Sequence, residues 1–262
     1  MKIEKLSEGI WVPSTDTQIE QWREKGHPYM QDTCLNKFLE WCKIQNKKFN
    51  LIVDVGAWCG TWTLSMQQYA KNIHCYEPNK LHYECLSRNL SIHSHVRLYN
   101  QAVGNEDGFV KLTEESSTQN TRVLLEKGET KINKLDSLEL QGVDFIKIDV
   151  EGHEAASLTG AEETIRSNHP LIVLEVLPNE IHAGTSMSVE VLRSYGYQYF
   201  YELCEAGWLS RSPRNVKKAA RSLLTILNAC RPSKAGALVK LGRLEKQSYP
   251  MLLCSIKPVE LH

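Results

Sequence analysis

The segment Asp54-Val55-Gly56-Ala57-Trp58-Cys59-Gly60 joins a short apolar run, Leu51-Ile52-Val53, to a stretch with helical patterning from Gly60. Glycines at such a junction let the backbone turn tightly and approach a ligand that a Cβ would block. The start of the following helix offers N–H groups to a carboxylate. Glu77 follows 23 residues after Asp54, just past a second predicted strand, Asn72–Tyr76. A carboxylate there can accept both hydroxyl hydrogens of a ribose. Taken singly, these features also describe an unliganded turn and a solvated glutamate. Strand, glycine turn, helix, strand and acid arriving in that order point to a ligand with a nucleoside end.

A second set of reactive side chains follows the predicted strand Val143–Val150 (VDFIKIDV). Asp149 stands at its carboxyl end, where open α/β sheets bind ligands, and Glu151, His153, Glu154 and Glu175 are predicted to crowd the same rim. Asp149 suits either catalysis at that rim or capping of the next helix. His153 has the intrinsic pKa of a base, although a lone histidine opening a helix is commonly a surface residue. Glu175 ends a buried strand, so it needs a partner, either a substrate or a salt bridge. These acids and the histidine could together hold a divalent ion, but they lack any recognised metal spacing, and no metal is expected.

The glycine turn also discriminates between ligands. A dinucleotide site wants GxGxxG, whose second glycine admits a pyrophosphate. The large Trp58 occupies that place, which argues against NAD and suits S-adenosylmethionine, a ligand with no pyrophosphate. The methionine end would meet N–H groups around Trp58 to Gly60. Trp58 or Trp62 would then either face the sulfonium by cation–π attraction or pack against the sheet.

Elements that can position these groups are legible along the chain. Strand signals at Leu51–Val53, Asn72–Tyr76, His95–Tyr99, Val143–Val150, Pro170–Val176, Tyr197–Tyr201 and Met251–Ile256 alternate with helical stretches, including one from Glu154 to Ser167 and one from Ser188 to Ser194. That alternation predicts a mostly parallel seven-stranded sheet with helices on both faces. Phe109–Thr113 and Arg122–Leu125 read as additional β-structure. Ahead of the sheet, residues 1–49 read as a helical appendage, with Trp11-Val12-Pro13 extended and helices over Asp16–Lys25 and Asp32–Lys43. The sheet core is assigned to 50–203 and 249–262, in a Rossmann-like α/β fold.

At 262 residues, 42% hydrophobic and 24% charged with zero net charge, the chain has an ordinary globular composition. Met1 to Glu8 is charged with no apolar run behind it, so no signal peptide is expected, and no segment approaches a membrane span. Eight scattered cysteines without CxxC or zinc spacing suggest a reducing, cytoplasmic location.

Charge is unevenly distributed. Residues 204–248 carry ten bases against Glu205 and Glu245, a net of +8, leaving −8 on the rest of the chain. The segment reads as a basic helical insertion before the last strand, with Arg214, Lys217, Lys218 and Arg221 on one face and Val216, Leu223, Leu224 and Leu227 on the other. Bases from 211 to 246 could meet nucleic acid, an anionic membrane surface or a phosphorylated acceptor; alternatively they form the solvated face of a lid.

Together these residues resemble the FkbM-type methyltransferases. The likeness runs through Asp54-Val55-Gly56-Ala57 with Gly60, Glu77-Pro78 with Leu86 and Asn89, Ala102-Val103-Gly104, Leu135-Asp136, Ile146–Glu154 (IKIDVEGHE) with Gly160-Ala161, and Pro170–Glu175. It covers about residues 50 to 180. The resemblance implies a class I methyltransferase fold, S-adenosylmethionine as donor, and an oxygen acceptor on a sugar or natural product. It places Asp54, Gly56 and Gly60 on the methionine side and Glu77 at the ribose. Ala57, Trp58, Gln101, Ala102 and Asp149 complete the expected donor-binding set, with Asp149, His153 and Glu175 as catalytic candidates. The expected activity is O-methylation of a carbohydrate or other small hydroxylated acceptor. Two rivals are methylation of an RNA hydroxyl through the basic insertion, and an inactive methyltransferase-like binding protein.

Overall fold

A computed structural model describes residues 2–7, 9–14, 19, 33–113, 122–124, 126–204 and 237–260. The chain opens with β1 (Ile3–Lys5) and β2 (Trp11–Pro13), which pair antiparallel as a separate two-stranded sheet. Helix α1 (Thr33–Ile44) buries Leu35, Phe38, Trp41 and Cys42, whose three-to-four-residue spacing puts them on one face. The helix expected over Asp16–Lys25 lies, apart from Ile19, outside the described residues.

The main alternation then begins. β3 (Phe49–Val55), α2 (Thr61–Met66), β4 (Ala70–Tyr76), α3 (Lys80–Leu90) and β5 (Val96–Tyr99) follow in order. Asn79 caps α3 by accepting from the N–H groups of Leu81 (2.9 Å) and His82 (3.3 Å). β6 (Ala102–Val103), β7 (Gly108–Leu112), β8 (Val123–Leu124) and β9 (Thr130–Asn133) form a small second sheet in the order β6-β9-β7-β8. Of these, β6 and β9 had no sequence signal beyond two to four residues. The chain returns through β10 (Val143–Ile148), α4 (Glu154–Thr159), α5 (Glu162–Asn168), β11 (Leu171–Val176), α6 (Met187–Ser194), β12 (Tyr199–Cys204), β13 (Ala237–Leu241) and β14 (Tyr249–Ser255).

Among the described residues the main sheet has eight strands, in the order β5-β4-β3-β10-β11-β14-β12-β13. β5, β4, β3, β10 and β11 are parallel; β14 is antiparallel to both β11 and β12, and β13 is antiparallel to β12. This α/β arrangement is the Rossmann-like one the sequence implied, with one strand more than the seven expected. Side chains alternate across it: Ile52 and Phe145 join Phe38, Trp62, Met66 and Leu86 on one face, while Val53, Ile146 and Ile148 join Leu158, Ile165 and Leu192 on the other.

Two expectations about elements need correction. The helix read as continuous from Glu154 to Ser167 is two, broken at Gly160-Ala161. A Cβ on Gly160 would stand 1.8 Å from the carbonyl oxygen of Gly104, so the chain passes there at backbone contact with the β6 segment. The stretch 204–248, read as helical throughout, contains β13: Leu238 is buried and Lys240, two residues on, lies 4.4 Å from the Tyr199 ring. That two-residue period is a strand's, and it was masked by the density of bases around it. Residues 205–236, including the amphipathic run at 214–227, lie outside the described residues. No helix among the described residues is long and apolar enough to cross a membrane.

β3 sits where the strand order reverses, with β4 on one side and β10, reached much later in the chain, on the other. The crevice beyond the carboxyl ends of these strands is where open α/β sheets take ligands.

Candidate active site

The glycine turn after β3 is built from three left-handed residues in five: Gly56 (φ 78°), Trp58 (φ 48°) and Gly60 (φ 83°). Such a path is costly for a free chain, especially at a tryptophan, and persists only when its surroundings fix it. Four residues outside the turn do so. The Gly56 and Ala57 N–H groups donate to Tyr76 O on β4 (3.0 and 3.1 Å). The Trp58 N–H donates to Glu77 Oε2 (2.9 Å). Asn89 Nδ2, on α3, donates to Cys59 O (2.8 Å), and Lys147 Nζ, on β10, donates to Gly56 O (2.7 Å). The glycines serve packing within the protein. A Cβ on Gly56 would fall 1.8 Å from Asp149 O, and one on Gly60 would fall 2.7 Å from side-chain atoms of Leu86 and Leu90. The N–H groups of Trp58 and Gly60, expected to face a ligand carboxylate, are instead engaged by Glu77 and Ala57 O (2.8 Å).

Behind the turn lies a buried charge centre. Asp54 is fully buried, accepting from Thr63 Oγ1 at Oδ2 (2.6 Å) and pairing with Lys147 Nζ at Oδ1 (3.2 Å). The same ammonium lies 3.7 Å from Asp149 Oδ2. Burial alone would push the Lys147 pKa down, but the carboxylates of Asp54 and Asp149 outweigh it and hold the pKa above its ordinary value. One lysine therefore joins β3, its turn and the tip of β10. Its place in an apolar strand, Ile146-Lys147-Ile148, was the available signal, because a charge buried in a sheet must find a partner.

On the β4 side, Glu77 is 5% exposed. Its Oε1 accepts from the Asn79 N–H (2.8 Å) and stands 3.5 Å from His82 Nδ1. Asn100 Nδ2 secures the Glu77 carbonyl (2.9 Å). Gln101 and Ala102, just past β5, are buried beside this corner of the sheet. Trp58 is half-buried with its ring edge-on to His82 at 6.0 Å, whereas Trp62 stacks on Phe145 at 5.5 Å as a core residue. Of the two roles open to Trp62, packing is the one the structure displays.

On the other side, carboxylate oxygens of Asp149, Glu151 and Glu175 come within 4.8 Å of one another. A divalent cation could be shared at that spacing, and acidic trios of this exposure also exist without one. Glu175 lies at an irregularity in the ladder. Between the pairs Leu174–Leu252 and Val176–Tyr249, two residues of β14, Pro250 and Met251, oppose Glu175 alone. Bulges of this kind re-aim side chains beside active sites, and proline is tolerated there because no ladder N–H is required. Burial first, then the charges of Asp149, Glu151, Glu154 and Glu180, push the Glu175 carboxyl up to about 8.

The other two members of the predicted rim go elsewhere. Glu154 turns inward, accepting from the N–H groups of Val150 (3.0 Å) and Gly152 (3.2 Å). His153 does not join the carboxylates: its Nε2 lies 2.8 Å from where a Gly104 Cβ would be, packed under the small sheet, and burial lowers its pKa. Lys147 and Thr63 carry no role in the sequence-based expectations, and Asn89 enters them only through the family resemblance, with no contact assigned to it.

The family profile described as the methyltransferase FkbM domain matches residues 54–199, more than half of the chain. No curated protein matches it in sequence. Solved structures with some likeness include a methyltransferase FkbM from Methylobacillus flagellatus, at 13% identity and TM-score 0.41. That alignment covers 79% of this chain, which spans only 43% of the Methylobacillus protein. Another is a precorrin-6y C5,15-methyltransferase from Geobacter metallireducens (13%, TM-score 0.41, 83% and 84% covered). A third is an rRNA methylase from Streptococcus thermophilus (10%, TM-score 0.41, 86% and 95% covered). Likeness at that level assigns neither donor nor acceptor. The domain match does assign the family: this chain belongs to the methyltransferase FkbM domain family.

Proposed function

We propose that the chain transfers a methyl group from S-adenosylmethionine to a hydroxyl of a carbohydrate or another small hydroxylated acceptor. The order of groups along the strand tips supports this reading: Glu77 on β4, the glycine turn on β3, Asp149 on β10, Glu175 on β11. Each Glu77 oxygen accepts one backbone N–H. A carboxylate offers about four acceptor positions, so Glu77 retains capacity for two ribose hydroxyls. The donor set thus fits a nucleoside at β4, with its sulfonium toward Asp149 and the acceptor toward β11.

Bound S-adenosylmethionine supplies an electrophilic methyl on a positively charged sulfur. The chain's own work is positioning and proton transfer. Lys147 and Asn89 hold the turn, Glu77 orients the ribose, and Glu175 accepts the acceptor's hydroxyl proton on a carboxylate oxygen. One observation carries the oxygen-directed assignment, namely the bulge-borne Glu175 with its pKa raised to about 8. A hydroxyl must shed its proton as its oxygen attacks, and a base with a pKa near the working pH does that best. An amine nitrogen attacks with a lone pair and has less need of one.

The test is label transfer from isotopically labelled methyl donor across glycans, small hydroxylated compounds and RNA, beside calorimetry with the donor and its demethylated product. Label in carbohydrate or small hydroxylated acceptors is expected; label in RNA alone would overturn the acceptor class. In the same calorimeter Glu77→Ala should weaken donor binding by about 10- to 100-fold, since charged hydrogen bonds contribute about 1.5–3 kcal/mol. Unchanged affinity in that variant would remove Glu77 from the donor site.

A further inference from the structure

We propose that Asn89 is a positioning residue that couples the N-terminal strand β2 to the shape of the glycine turn. Its side-chain amide is shared between the two. Nδ2 donates to Trp11 O (2.9 Å) and to Cys59 O (2.8 Å), while Oδ1 accepts from the Trp11 N–H (2.8 Å). The Trp11 backbone is thus paired at both of its polar atoms by a residue 78 positions later, and the same amide nitrogen reaches into the turn.

Apolar contacts run parallel to this polar link. Ile10, Val12 and Ile19 are buried in one cluster with Cys59 and Cys85, and Trp58 and Leu64 pack against it. The Arg88 guanidinium covers the Trp11 ring at 4.5 Å. β2 therefore packs on the outer side of the turn and against α3.

The consequence rests on the donor-site reading above. Gly56, Trp58 and Gly60 are left-handed, so the turn depends on ties from outside itself. Those from Tyr76, Glu77 and Lys147 come from the sheet. Asn89 supplies the tie on the outer flank, and through it the docking of residues 9–14 becomes part of donor affinity. Release of β2 would free the Asn89 amide of both Trp11 contacts, so its hold on Cys59 O would loosen and the turn could relax toward ordinary φ values. The N-terminal hairpin acts as a strap on the donor site.

Donor calorimetry, steady-state kinetics and amide hydrogen exchange on full-length wild type, Asn89→Ala and Val12→Ala test this. Val12 contributes no side-chain polar atom, so its truncation loosens the strap without touching the Asn89 amide. Asn89→Ala should raise the donor Kd about tenfold or more while acceptor KM at saturating donor stays put. Val12→Ala should move the donor Kd the same way by less. Exchange at the Trp11, Trp58 and Gly60 amides should rise together in both variants. A merely structural role would lower Tm and leave the donor Kd of the folded protein alone. Donor Kd within twofold of wild type in both variants overturns the coupling while sparing the donor site. Absence of donor binding by the wild type sinks the donor-site reading and this proposal with it.

Discussion

Lys147→Met is expected to destabilise the protein by about 3–5 kcal/mol in urea unfolding at neutral pH, the usual cost of stranding a buried charge. Asp54 has no route to solvent, and its remaining partner would be the Thr63 hydroxyl. Gly56 O would lose its hydrogen bond from β10, and Asp149 its neighbouring cation. Donor affinity should therefore fall along with stability. The two effects separate in the double variant Asp54→Asn, Lys147→Met. Neutralising both ends of a buried pair removes the stranded charge, so most of the lost stability should return. Donor binding should not return with it, because Gly56 O is still released. Full recovery of both properties would show that Lys147 matters only as a counter-ion. A single variant within about 1 kcal/mol of wild type would show that the ammonium is dispensable altogether.

How far such residues could be read from sequence depends on the range of their contacts. The place of Glu77 was legible because it follows from local order: a strand ends, and the acid sits past its tip beside the preceding turn. Asp149 was legible for the same reason, and Trp62 as a helix residue facing the sheet. Lys147 announced a need for a partner but not which one, since Asp54 lies on a strand joined to it only by sheet order. Asn89 stood out only in the family resemblance, and nothing in its local sequence showed its contacts. Its partners stand 78 and 30 residues away, and a polar residue near a helix end ordinarily faces water. His153 misled in the opposite sense. Its side chain is claimed by Gly104, a contact that depends on the small sheet folding back under α4. The same approach of Gly104 to Gly160 breaks the helix the sequence drew as continuous. β13 was hidden for a compositional reason: five residues of strand period inside a +8 stretch read as part of a basic helix.

Glu175→Gln should lower kcat by about 10²- to 10⁴-fold, the span attributed to a positioned general base, with donor Kd changed less than twofold. Glu175 is flanked by Asp149, Glu151, Glu154 and Glu180, and the Lys147 ammonium beside Asp149 is shared with Asp54. The carboxyl consequently keeps its proton to about pH 8. As a base it must first lose that proton, so kcat/KM of the wild type should climb through pH 8 and level off above it. Stability should run the other way. Between its ordinary pKa, about 4.3, and about 8, the folded protein holds a proton that the unfolded chain has released. The folded state therefore loses stability as pH rises through that window. Glutamine cannot titrate, so the variant should match wild type near pH 4 and exceed it above pH 8, by roughly 1–3 kcal/mol after screening by solvent. A gain in stability joined to a loss of turnover is the signature of a carboxylate held in an unfavourable place for its chemistry. Retained kcat in Glu175→Gln, or a wild-type rate flat from pH 6 to 9, would leave the proton to another group and remove the basis for an oxygen acceptor.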